Sequence, residues 1–135
     1  MNSKIGVYMV MAEQCINDAN ALFRLGSDRG ALNRAYYGFF DAVRALLLTK
    51  AIFTKSHQAT RSLFSEHFVK EGPFTAKDAK DFHVLFNLRQ DSDYETDDPT
   101  DSVIVGQIID TAAEFVLQAG AYLREQPSTD QPKTE

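Results

Sequence analysis

Residues 31–48, ALNRAYYGFFDAVRALLL, are apolar at nearly every position. A helix that is apolar almost all round belongs in the middle of a bundle rather than at its surface. Its polar residues are not scattered. Arg34, Tyr37, Asp41 and Arg44 stand at i, i+3, i+7 and i+10, which sets them in one narrow stripe along the helix. A buried helix must aim such a stripe at another element, a second subunit or a ligand.

Upstream, Ile5, Met9, Ala12, Ile16, Ala19 and Phe23 recur at spacings of 4, 3, 4, 3 and 4. That seam predicts a long amphipathic helix from Ser3 to Leu25, capped by Ser3 and ended by Gly26. Ser27 or Asp28 then caps the central helix, which runs to about Lys50, and so short a link makes the two helices antiparallel neighbours. Downstream, Ser56 is an N-cap for a shorter helix to Glu71 with Leu63, Phe64 and Phe68 inward, stopped by Gly72-Pro73. Thr75 and Asp78 have capping-box spacing and open a helix with Ala79, Phe82, Phe86 and Arg89 on one face. Asp91–Asp98 reads as an acidic connector, with Asp98 and Pro99 as N-cap and N1 of the last helix and Asp101 at N3. In that helix Val105, Ile109, Ala112, Val116, Ala119 and Leu123 repeat the 4, 3, 4, 3, 4 spacing. Residues 126–135 read as a polar, disordered tail. The expectation is one domain over residues 1–125, an all-α, up-and-down antiparallel bundle of four main helices plus a shorter one.

With 135 residues, 44% of them hydrophobic and ten of them Phe, the chain can bury a sizeable core. A net charge of −5 argues against a protein that lives on nonspecific phosphate attraction, which is usually basic. The one cysteine, Cys15, cannot form an intramolecular disulfide. No signal peptide is evident, and Arg34, Asp41 and Arg44 put too much charge in the apolar run for a membrane span. A cytoplasmic, soluble protein is expected. Gly-rich phosphate loops, paired cysteines, His-Glu-x-x-His and Gly-x-Ser-x-Gly are all missing. The acids Asp91, Asp93, Glu95, Asp97, Asp98 and Asp101 fit no calcium loop, and several read as helix caps, so neither a metal nor a cofactor is expected.

Arg89 continues an apolar stripe into the last turn of its helix, an odd place for a guanidinium unless something anionic meets it. Asp93 reads equally as its ion-pair partner or as a catalytic carboxylate, and Tyr94 as a packed aromatic or a site residue. Arg34, Tyr37 and Asp41 could instead form an internal ladder with Arg44. His57, at a helix start, reads first as a local hydrogen-bonding group; His67 and His83 read as rim residues.

The run from Asn33 to Leu48 resembles the second helix of the HEPN family (higher eukaryote and prokaryote nucleotide-binding domains), whose small bacterial and archaeal branch carries Arg-Ala-Tyr-Tyr there. Lys55-Ser56-His57 with Ser62-Leu63-Phe64 is similar to that branch's Ser/Thr-His and Leu-Phe positions. Arg89-Gln-Asp-Ser-Asp93-Tyr94 is similar to its Arg-x-x-x-Asp-Tyr signature. The resemblance covers roughly residues 3–125. It implies a bundle that dimerises, with Arg34, Tyr37 and Asp41 lining an interfacial cleft and Arg89, Asp93 and Tyr94 as catalytic candidates. Many members are metal-independent ribonucleases, and several are toxins encoded beside a minimal nucleotidyltransferase antitoxin. Their signature is Arg, four to six residues, then His: a fork of donors for a phosphate, and a proton carrier for ribose. Here Tyr94 stands where that His would be, with a phenol that ordinarily titrates near ~10, and Asp41 replaces a His on the second helix. In related toxins a Tyr near the motif is adenylylated, and Tyr94 is the corresponding candidate. The expected function is an RNA- or nucleotide-binding protein of a toxin–antitoxin-like module, with ribonuclease chemistry of a variant kind. The alternative is a non-catalytic helical partner of a minimal nucleotidyltransferase.

Overall fold

The computed structural model describes residues 3–94 and 101–127. Within them the chain is an all-α bundle of α1 (Ser3–Arg24), α2 (Asp28–Leu48), α3 (His57–Phe64), α4 (Ala76–Tyr94) and α5 (Ser102–Arg124). The axis is α2, which buries 13 of its 21 residues and packs against all four other helices. Both heptad seams face it: Ile5, Met9, Ala12, Ile16 and Ala19 from α1, and Val105, Ile109, Ala112, Val116, Ala119 and Leu123 from α5. At mid-height Phe39 of α2 stacks on Phe82 of α4, ring centroids 4.8 Å apart, and on Phe115 of α5 at 3.8 Å. One glycine interrupts the bulky face of α2 for a steric reason. A Cβ on Gly38 would lie 2.8 Å from Ile16 Cδ1 and 3.3 Å from the Ala12 carbonyl oxygen, so its absence lets α1 approach closely.

The helix ends explain the topology. Gly26 takes φ +80; its N–H donates to the Phe23 carbonyl at 3.0 Å and the Ser27 N–H to the Leu22 carbonyl at 2.8 Å, a Schellman closure that reverses the chain into α2. The same closure ends α2, where the N–H groups of Ala51 and Ile52 donate to Leu48 and Leu47, each at 3.0 Å. There the left-handed residue is Ala51, with φ 59, and its Cβ makes that conformation costly. Ala51→Gly is expected to stabilise the fold by about 0.5 kcal/mol, the relief of strain outweighing glycine's entropy. A urea melt with an unchanged or lower midpoint would show that no strain is stored there.

Residues 51–56 carry the chain back along α2, so α3 starts beside Tyr36 and Phe40 and runs toward the C-terminal end of α2. The Ser56 hydroxyl caps α3 by accepting from the Ala59 N–H at 3.1 Å. Thr75 and Asp78 form the reciprocal box: the Thr75 N–H donates to Asp78 at 3.0 Å and the Asp78 N–H to the Thr75 hydroxyl at 3.2 Å. At the start of α5 the Ser102 hydroxyl donates to the Asp28 carboxylate at 2.6 Å, which ties together the N-termini of α5 and α2. These two helices run parallel, and α1 and α4 run antiparallel to them. By length and composition α5 could cross a membrane, but its apolar seam is the face that packs on α2.

Three boundaries differ from expectation. The helix expected to reach Glu71 ends at Phe64 and widens into a π-turn over Ser65–Val69, where the Lys70 N–H donates to the Ser65 carbonyl at 2.9 Å. The segment read as an acidic connector from Asp91 is helical as far as Tyr94. No Gly or Pro interrupts residues 76–94, and carboxylates alone do not break a helix. Asp101 is the N-cap of α5 rather than its third residue, its carboxylate accepting from the Val103 N–H at 2.8 Å. The expected cap at Asp98-Pro99 lies outside the described residues, as does most of the expected tail.

Candidate functional site

Three helices bring the site together. The antiparallel packing of α2 and α4 stacks Tyr36 on Phe82 and sets it at a tilt against Phe86, with centroids 5.9 and 5.7 Å away. One turn further along the same face of α4, Arg89 reaches the end of this stack. From α3 come His57 and, one turn on, Arg61.

Tyr36 is wholly buried, and its hydroxyl oxygen lies 2.6 Å from His57 Nδ1. Burial pushes the phenol above its ordinary range, while the positive charges of Arg61 and Arg89 pull the other way. The His57 ring stacks on Phe40 at 4.8 Å. Burial holds this imidazole below its ordinary pKa, and the charges of Arg89 and Arg61 lower it further, so His57 is neutral at pH 7. The Arg61 guanidinium lies over Phe86, 4.0 Å from the ring centroid. That of Arg89 lies 5.0 Å from Tyr36 and 5.5 Å from Tyr37, and that of Arg34 is 5.5 Å from Tyr37. Arg61 Nη1 is buried and meets no hydrogen-bond acceptor among the described residues. A buried donor in that state is costly unless a ligand supplies the acceptor.

The stripe on α2 therefore serves two purposes. Arg34 and Arg89 both lie beside the Tyr37 ring. Asp41 and Arg44 turn to a different task. Asp41 is buried and pairs with Arg44 at 3.7 Å, while Arg44 donates to the Tyr8 hydroxyl at 2.7 Å and lies over the Tyr8 ring. Burial pushes the Asp41 carboxyl up to about 6 against the pull of Arg44 and Arg34. Asp93 and Tyr94 occupy the last turn of α4, and their side chains lie outside the described residues.

Sequence reasoning missed two members. The local hydrogen bond expected of His57 is instead a bond across 21 residues, to Tyr36. Nothing in the sequence singles out Arg61 except its i, i+4 spacing from His57. Together these residues form a cationic, aromatic surface on an acidic chain, with a neutral imidazole at its centre. Such a surface can hold a phosphate, stack a base and accept a proton.

The family model for the HEPN domain matches residues 7–120. "Putative toxin MJ0605" of Methanocaldococcus jannaschii is 34% identical over 125 residues, 93% of this chain and 92% of its own length. "Putative toxin MJ0142" of the same organism is 30% identical over 109 residues, 81% of this chain and 69% of its own length. A UPF0332 protein of Thermotoga maritima is 34% identical over 83 residues, covering 62% of this chain and 63% of that protein.

Proposed function

The chain belongs to the HEPN domain family, and on that premise we propose that it is a toxin-like member that binds RNA by its phosphates through Arg34, Arg61 and Arg89. Two copies of the chain close the cleft between them. The observation that carries this reading is the convergence of Arg61 and Arg89 on the Tyr36–Tyr37–Phe86 platform, with a buried Arg61 donor lacking an acceptor among the described residues. Guanidinium forks match phosphate oxygens, and aromatic faces tolerate any base. A local cluster of this kind overcomes the overall charge of −5 at close range, because a Debye length of about 8 Å at physiological salt screens the remoter acids.

Fluorescence anisotropy with a labelled single-stranded RNA tests the reading. Arg89→Ala is expected to weaken binding by about 10- to 100-fold, as for removal of a charge-assisted hydrogen bond. It should also reduce the salt slope by about 0.7 for each phosphate that the variant no longer neutralises. Lys80→Ala, exposed on α4, serves as the control. Binding that is absent in the wild type, or equal in Arg89→Ala, rejects the proposal.

A second reading, a non-catalytic partner of a nucleotidyltransferase, is favoured by one observation: after Arg89 and four intervening residues stands Tyr94 rather than a His. Its test is co-purification with a neighbouring nucleotidyltransferase, and failure to form a complex removes it.

A further inference from the structure

The site holds a histidine in a position to do chemistry, although it lies on a different helix from Arg89. His57 is fixed by its Nδ1 contact with the Tyr36 hydroxyl, a group on the buried face of α2. Its other nitrogen, Nε2, makes no hydrogen bond among the described residues and is not among the buried, unpartnered polar atoms. The ring is oriented by one nitrogen and open at the other, the arrangement a general base requires.

The groups facing it come from three elements. From α2 these are Tyr36, Tyr37 and Phe40, from α4 Phe86 and Arg89, and from its own helix Arg61. Among the described residues no carboxylate touches the ring. Among the described residues the charges that act on it are those of two guanidinia. In the free protein those cations oppose protonation of His57. A phosphate bound to them would remove much of that opposition, so the imidazole becomes a better proton acceptor when substrate is in place.

Resting on the RNA-binding reading above, we propose that His57 is the general base of a metal-independent RNA cleavage, with Tyr36 as its positioning residue and Arg61 and Arg89 as the phosphate clamp. With the Nδ1–H donating to the Tyr36 oxygen, Nε2 carries the lone pair. The 2′-hydroxyl O–H bond breaks as its proton passes to Nε2. The 2′-oxygen attacks the adjacent phosphorus, and the P–O5′ bond breaks as the 2′,3′-cyclic phosphate forms. The 5′-oxygen takes its proton from solvent, and His57 returns its own to solvent. Arg61 and Arg89 meet the charge that grows on the non-bridging oxygens.

Single-turnover cleavage of a labelled RNA by the full chain, with chelator present, tests this. The wild type should leave 2′,3′-cyclic phosphate ends and spare an RNA whose 2′-hydroxyls are replaced by hydrogen. His57→Gln should bind RNA within about threefold of wild type yet cleave at least ~100-fold more slowly. Tyr36→Phe should keep binding and shift the pH–rate profile, which a residue that only fills space would not do. Because Tyr36 is buried, a nuclear magnetic resonance titration of the His57 ring gives an independent measure: phosphate should raise its pKa in the wild type. RNA binding without cleavage, or His57→Gln cleaving at the wild-type rate, overturns the assignment and leaves the binding proposal standing. Absence of RNA binding takes down both.

Discussion

Phe39→Ala is expected to destabilise the fold by about 3–5 kcal/mol, the usual cost of hollowing out a buried phenylalanine. Phe39 has no exposed surface and stacks on Phe82 and on Phe115, so one side chain holds α2, α4 and α5 to a common centre. The penalty combines transfer of the ring, two aromatic stacks and a cavity that rigid helices close only in part. Since domains of this size have a total stability of roughly 5–15 kcal/mol, the variant should forfeit a large share of it. At about 3–5 °C per kcal/mol for this chain length, thermal unfolding should fall by 10 °C or more. Phe53→Ala, at a ring that is 54% exposed, should stay within about 0.5 kcal/mol of wild type. A Phe39→Ala melting point within about 3 °C of wild type would mean that the stack is not the keystone of the bundle.

Asp41→Asn is expected to stabilise the protein at pH 7.5 and to do so less and less as the pH is lowered. The carboxyl, ordinarily near 3.8, is pushed up to about 6 chiefly by burial, so the folded chain holds this proton more tightly than the unfolded chain does. Stability contributed by the group is complete at low pH, is lost as pH rises from about 4 to 6, and is flat above that. The full cost is on the order of 2–3 kcal/mol. That figure is already net of the attraction to Arg44, so replacing the acid with a neutral amide recovers most of it, about 2 kcal/mol. His57 acts in the opposite sense, its lowered pKa adding stability as pH rises toward 6.5, and that contribution cancels when variant and wild type are subtracted. Urea unfolding at pH 4 and pH 7.5 checks the prediction. A difference between the two proteins that does not change with pH would show that Asp41 is not held in the protonated range.

The bundle is legible in the sequence because its determinants are periodic. The 4, 3, 4, 3, 4 seams of α1 and α5 and the nearly continuous apolar run of α2 each repeat one physical instruction many times over. Caps are legible where the motif is reciprocal, as at Thr75 and Asp78, and ambiguous where several acids compete, as at Asp98 and Asp101. The end of α4 is hidden because a run of acids looks like a break although nothing there forbids a helix. At the site, Arg34, Tyr37 and Arg89 stand out because each disturbs an apolar pattern. His57 and Arg61 disturb nothing in their own helix. Their significance arises only when the segment 51–56 folds α3 back against Tyr36, which no local spacing encodes.

The contribution of α5 to the shared core sets a condition on synthesis. Eight of its residues are buried, Phe115 and Leu123 among them, and Phe115 completes the stack on Phe39. A nascent chain emerging from the ribosome without these residues has an open hydrophobic trough along α2 and no cooperative native state to fall into. Any activity that depends on the three-helix cluster is therefore withheld until translation has passed Leu123. Truncated products of interrupted messages should be degraded or aggregate, and are not expected to act on the cell that made them.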